Sequence, residues 1–131
     1  MSQGEEIITK ILNKAKINFD REKTFYDLKK GQYRYDFYIP DLKGRRAVIE
    51  FNGAQHYQYV AKFYSSMRMW MAALERDRRK ISYALANDID IYEIPYWDAP
   101  KLRQAADLFK NEYKAKNRWH NDDVREKYVD K

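Results

Sequence analysis

Two short runs of alternating apolar residues, 33–40 and 46–52, are joined through Asp41-Leu42-Lys43-Gly44 and Arg45. That arrangement predicts a β-hairpin. Each run carries an acid where an apolar residue is the rule. Asp36 lies among Tyr35, Phe37 and Tyr38, and Glu50 closes Ala47-Val48-Ile49. With a three-residue loop, Leu42-Lys43-Gly44, and Gly44 in the left-handed region, Asp41 pairs with Arg45 and Asp36 stands opposite Glu50. Both acids then share one face, and Phe37, Ile39, Ala47, Ile49 and Phe51 share the other. A two- or four-residue loop shifts the pairing by one and parts the carboxylates.

Around the hairpin the pattern alternates between helix and strand. A helix is expected over about 3–16, with Ile7, Ile8, Ile11, Leu12 and Ala15 on one side, and an extended stretch over 18–28. A long helix is expected over 63–86, carrying Phe63, Met67, Trp70, Leu74, Ile81 and Leu85. A β-rich run over 88–95 follows. A last helix is expected over 99–116, with Asp98 as its N-cap and Pro100 in its first turn. Residues 117–131 read as a charged tail or short helix. The expectation is an α/β fold in the order α-β-β-β-α-β-α, one domain over 1–116, with a mixed β-sheet flanked by helices.

Composition narrows the chemistry. With no Cys among 131 residues, a disulfide framework, a thiolate zinc site and a Cys nucleophile are excluded. No apolar run approaches the roughly 18 residues of a membrane span, and the first residues lack a signal-peptide core. An intracellular, reducing compartment, the cytoplasm, is therefore expected. The charge of +6 favours an anionic partner, and 16% aromatic residues, some beside Arg as in Tyr33-Arg34-Tyr35, suit contact with bases and phosphates.

Helical phase adds further polar candidates. At about 100° per residue, Asp77 falls on the flank of the long helix's apolar stripe, about 20° from Trp70, with Lys80 one turn along. Glu5 falls on the edge of the first helix's apolar side, whereas Glu6 points away. After the Glu50 strand, Asn52-Gly53-Ala54-Gln55-His56 places one of only two histidines close to the acids. Asp36 and Glu50 with waters suit Mg²⁺, and His56 or Lys80 suits activation of a water or neutralisation of a leaving oxygen. The plainer readings are a salt-bridge ladder for Asp77, a favourable helix-terminus charge for Glu5 and a strand-end polar group for Asn52.

Gly4-Glu5, Tyr35-Asp36-Phe37-Tyr38-Ile39-Pro40, Val48-Ile49-Glu50-Phe51-Asn52-Gly53-Ala54-Gln55-His56-Tyr57 and Arg76-Asp77-Arg78-Arg79-Lys80 together resemble the PD-(D/E)XK, or restriction-endonuclease-like, nucleases. The nearest branch is that of very-short-patch repair and EDxHD homing endonucleases, many of them phage-encoded. The strand ending Tyr92-Glu93-Ile94-Pro95-Tyr96 fits the same branch, so the resemblance runs over about 4–96. It implies a restriction-endonuclease-like core and a DNA endonuclease dependent on Mg²⁺ or Mn²⁺. By this likeness Asp36 and Glu50 are metal ligands, Glu5 supports the site, His56 is the catalytic histidine and Asp77 the trailing aspartate, with Asn52 and Gln55 in support. Asn52 stands where the family pattern has Lys. Either His56 or Lys80 takes that role, or the site lacks it.

The expected partner is DNA, duplex or branched, met by Arg34, Arg76, Arg78, Arg79, Lys101, Arg103, Lys110 and Lys114. A monomer nicks, and double-strand cleavage requires a homodimer. The rival expectations are a junction-resolving nuclease and a binding module that keeps the fold without the chemistry.

Overall fold

The structure is a computed structural model that describes residues 1–53 and 66–115. Four strands, β1 (Asp20–Thr24), β2 (Arg34–Leu42), β3 (Arg45–Asn52) and β4 (Ile89–Pro95), form one sheet in the order β1-β2-β3-β4. The first three run antiparallel, and β4 joins β3 in parallel. A parallel neighbour needs a long crossover, which is supplied by the helix α2 (Met67–Ala86). The fold is thus a mixed α/β domain with helices flanking a four-stranded mixed sheet.

The helix α1 (Gln3–Lys14) begins at Ser2, whose hydroxyl accepts the Glu5 N–H at 3.2 Å. It buries Ile8, Ile11 and Leu12 against Phe37, Ile39, Ala47 and Ile49, the apolar hairpin face expected from the alternation. Ile7 is only partly buried and Ala15 is exposed. Gly4 is buried for steric reasons: a Cβ there would collide with the Phe51 ring, so only glycine lets α1 lie this close to β3.

The opposite face packs Tyr38 and Val48 against Ile81 and Ala84 of α2. The buried stripe of α2 runs through Trp70, Ala73, Leu74, Asp77, Lys80, Ile81 and Ala84. Met67, expected in this stripe, is 52% exposed, and Leu85 is half-buried. The stripe is therefore rotated toward Asp77 and Lys80, which lie inside it rather than on its flank. Phe63 lies outside the described residues.

The hairpin reaches its expected register by an unexpected route. The loop has two residues, Lys43 and Gly44, both at positive φ (54° and 88°), and Leu42 pairs with Arg45. A bulge between Ile39 and Leu42 absorbs one residue, so Ile39 faces Ala47 and Phe37 faces Ile49. Continuing that register sets Asp36 level with Glu50. Pro40 lies in the irregular stretch, where its missing N–H costs no ladder bond.

The helix expected over 99–116 is replaced by three short pieces. A 3₁₀ segment (Tyr96–Lys101) contains Pro100, one helical turn α3 (Ala105–Leu108) follows, and a second 3₁₀ turn covers Asn111–Tyr113. Tertiary bonds outweigh helical propensity here. Asp98 does not cap a helix but accepts the Tyr113 hydroxyl at 2.7 Å. Lys114 bridges to Tyr92, and the Ala115 N–H donates to the Ile91 carbonyl at 2.9 Å, which draws the chain along the outer edge of β4. Among the described residues no helix is long and apolar enough to cross a membrane.

Candidate functional site

A polar cleft of about 210 Å³ opens where β2 begins and β3 ends, lined by Glu5, Asp36, Glu50, Phe51, Asn52, Arg76, Asp77 and Lys80. The hairpin delivers its two acids to one end of the sheet, where Glu50 shares the α2-facing side of β3 with Val48. Their mutual orientation is fixed by main-chain donors. The Asp36 N–H donates to Glu50 Oε2 at 2.9 Å, and the Phe51 N–H donates to Asp36 Oδ2 at 2.8 Å. Side-chain oxygens thus take over where the β2–β3 ladder ends.

From α2, Lys80 forms an ion pair with Glu50 Oε1. The carbonyl of Lys80 accepts the Tyr35 hydroxyl at 2.7 Å, and its ammonium lies 5.1 Å from the centre of the Tyr35 ring. Burial acts against the Lys80 charge, but Glu50 first, then Asp77 and Asp36, outweigh it and hold its pKa above the usual lysine range. Burial also drives the Asp36 carboxyl up, to about 8, and the Glu50 charge adds to the effect. The Phe51 N–H and Lys80 oppose it only in part.

Glu5 reaches the same cleft from the first turn of α1. Its Oε2 accepts from Arg21 Nη2 at 2.7 Å, and Arg21 Nε donates to the Asp36 carbonyl at 2.9 Å. The guanidinium also lies 4.5 Å from the centre of the Phe37 ring. Arg21 thus ties helix α1 to strand β2 at Asp36. The charged edge strand Asp20–Thr24 offers no apolar pattern that would single it out. Glu93 was also not among the expected site residues. It is buried inside the apolar run of β4, beside Glu50 in the register, and accepts from Asn52 Nδ2 at 3.3 Å. An acid in an apolar strand is the signal that picked out Glu50, and it applies equally to Glu93.

The structure thus brings together Glu5, Asp36, Glu50, Asn52, Asp77 and Lys80. Gln55 and His56 lie outside the described residues. Of the expected phosphate contacts, Arg76 lines the cleft, and Arg34 stands two residues from Asp36 in an ion pair with Glu22 at 3.8 Å. Arg78 and Arg79 pair with Glu75 on the exposed side of α2. The second basic segment is elsewhere. Lys101 pairs with Asp98, Lys110 is exposed beyond α3, and Arg103 lines a groove with Lys10 and Lys14 between α1 and α3. Lys114 pairs with Asp90, at the end of β4 remote from Glu93.

Among the described residues no three His, Cys, Asp or Glu side chains group closely enough to hold a metal ion by themselves. Asp36 and Glu50 nevertheless offer two hard oxygen groups side by side. Mg²⁺ keeps several waters and is commonly held by one or two carboxylates, so this donor set fits it.

No family model and no solved structure matches the chain. The chain is 33% identical over 61 residues to Uncharacterized protein 307L of Invertebrate iridescent virus 6, over 47% of this chain and 29% of that protein. It therefore spans less than a third of that relative's length.

Proposed function

We propose that the protein is a metal-dependent DNA endonuclease with a restriction-endonuclease-like core, and that the cleft at Asp36 and Glu50 is its active site. The observation that carries this reading is the convergence of two strand carboxylates, tied by main-chain N–H groups, with a buried lysine from the neighbouring helix. Asp36 and Glu50 would hold Mg²⁺ or Mn²⁺. When bound, such a cation supplies charge neutralisation at the phosphate and a more acidic attacking water.

The remaining work falls to the chain's own groups. The Lys80 ammonium neutralises charge that builds on the phosphate oxygens as the P–O bond breaks, in place of the lysine that the family pattern puts at position 52. Arg76, on the rim, binds a flanking phosphate and fixes the position of the duplex rather than reading its sequence. By the family likeness His56, which lies outside the described residues, would take the proton from the attacking water. A monomer makes nicks, and a homodimer makes double-strand cuts.

The test is cleavage of supercoiled plasmid with Mg²⁺ or Mn²⁺. Asp36→Asn and Glu50→Gln, which keep an oxygen for the main-chain donors, should abolish nicking in proteins that still melt cooperatively. Undiminished cleavage by both variants would end the assignment. A second reading, a DNA-binding module without cleavage, draws on Asn52 at the lysine position. It is favoured if DNA binding is indifferent to metal and the wild type cuts neither linear nor branched DNA, an outcome that also excludes a junction-resolving nuclease.

A further inference from the structure

Glu50 is paired in register with Glu93 on β4 and accepts the Asp36 N–H of β2, so three neighbouring strands each bring a carboxyl residue to the same end of the sheet. Asn52 follows Glu50 on β3 and closes the group diagonally through its bond to Glu93. Both partners are buried, Asn52 at 3% exposure and Glu93 at 8%. In this contact Asn52 Nδ2 donates to Glu93 Oε2, which turns the amide nitrogen of Asn52 toward β4. The other end of the planar carboxamide, Oδ1, is then the end presented to the cleft that Asn52 helps to line.

We infer that Glu93 is a positioning residue that orients Asn52, so that Asn52 Oδ1 joins the Asp36 and Glu50 carboxylates as a third oxygen donor for a hard divalent cation. The inference rests on the nuclease reading and deepens it. Amide carbonyls are good ligands for such ions. A neutral donor also adds an oxygen without adding another negative charge between Glu50 and Glu93. A lysine at 52 would instead direct its ammonium at Glu93, and in this chain Lys80 already brings the cation to the acids.

The experiment measures Mn²⁺ binding to the full chain without DNA, from the electron paramagnetic resonance signal of unbound Mn²⁺. Asn52→Leu and Glu93→Leu should each weaken binding by about tenfold, the scale on which partners of metal ligands act. The double variant should be no weaker than either single one. Glu93→Gln, whose amide oxygen still accepts from Asn52, should bind close to wild type, a rescue that lost packing alone would not give. Asn52→Ser, too short to reach the ion, serves if Asn52→Leu does not fold. Unchanged Mn²⁺ affinity in the Asn52 and Glu93→Leu variants, with binding lost in Asp36→Asn, would overturn this inference alone. Absence of Mn²⁺ binding by the wild type would overturn the nuclease reading with it.

Discussion

Lys80 of α2 is ion-paired with Glu50 of β3, and both side chains are about nine-tenths buried. Removing one partner strands the other charge in the interior. Lys80→Met should cost about 3–5 kcal/mol in urea denaturation, whereas Lys80→Met combined with Glu50→Gln, which removes the charge but keeps an acceptor for the Asp36 N–H, should recover much of that loss. A double variant as unstable as the single one would show that the pair contributes little to the cost.

Arg21 makes two bonds in different directions, to Glu5 and to the Asp36 carbonyl. A lysine has no planar fork and cannot serve both. Arg21→Lys and Arg21→Gln should each lower stability by about 1–2 kcal/mol, the scale of a charge-assisted hydrogen bond at a partly exposed site. Denaturation midpoints equal to wild type would remove Arg21 from the architecture of the cleft.

Gly4 gives the Phe51 ring its place against α1. Gly4→Ala gains about 1 kcal/mol of helix propensity, but its methyl must displace that ring at a cost of about 1–3 kcal/mol. Net destabilisation is expected, with Gly4→Ala/Phe51→Leu more stable than Gly4→Ala. Equal melting temperatures for the single and double variants would argue that the ring moves without penalty.

Far from the cleft, hydrogen bonds from Arg45 at 2.9 Å hold the Asp90 carboxyl below its ordinary pKa, with Lys114 adding to the effect. A lowered folded-state pKa means stability that is present above the unfolded value of 3.8 and lost as pH falls through the folded value. The melting-temperature advantage of wild type over Asp90→Asn should therefore be constant near neutrality and shrink below pH 3.8. A constant advantage down to pH 2 would contradict the ion pair.

Under the proposed function, the two basic segments should behave differently toward DNA. Arg76→Ala should weaken duplex binding and reduce the slope of log K against log salt by about 1. Lys114→Ala, at the other end of β4, should change neither quantity. Equal effects of the two substitutions would place the duplex outside the cleft.

Much of this arrangement was legible from residue pattern. The hairpin and its facing acids follow from a period of two, which leaves few registers that bury Phe37, Ile39, Ala47 and Ile49 together. The turn departs from the expected three-residue loop because Lys43, a residue with a Cβ, takes positive φ, and a bulge then compensates for the shorter loop. In α2 the helical period located Asp77 and Lys80 near the buried side, yet hydropathy gave them no weight in fixing the stripe's centre. The burial of Lys80 depends on the Glu50 charge brought from β3. The last helix failed for a similar reason: the bonds of Asp98 to Tyr113 and of Ala115 to Ile91 are long-range, and local periodicity carries no trace of them. Arg21 stayed hidden because its role is apparent only once α1 and β2 are neighbours.

The main-chain bonds accepted by Asp36 and Glu50 make these two acids fasteners of the hairpin's open end, in addition to the role proposed for them in cleavage. Truncating either one unzips that end, so an inactive alanine variant would not distinguish chemistry from scaffolding. An amide of the same shape retains an acceptor while losing the charge, and so separates the two roles.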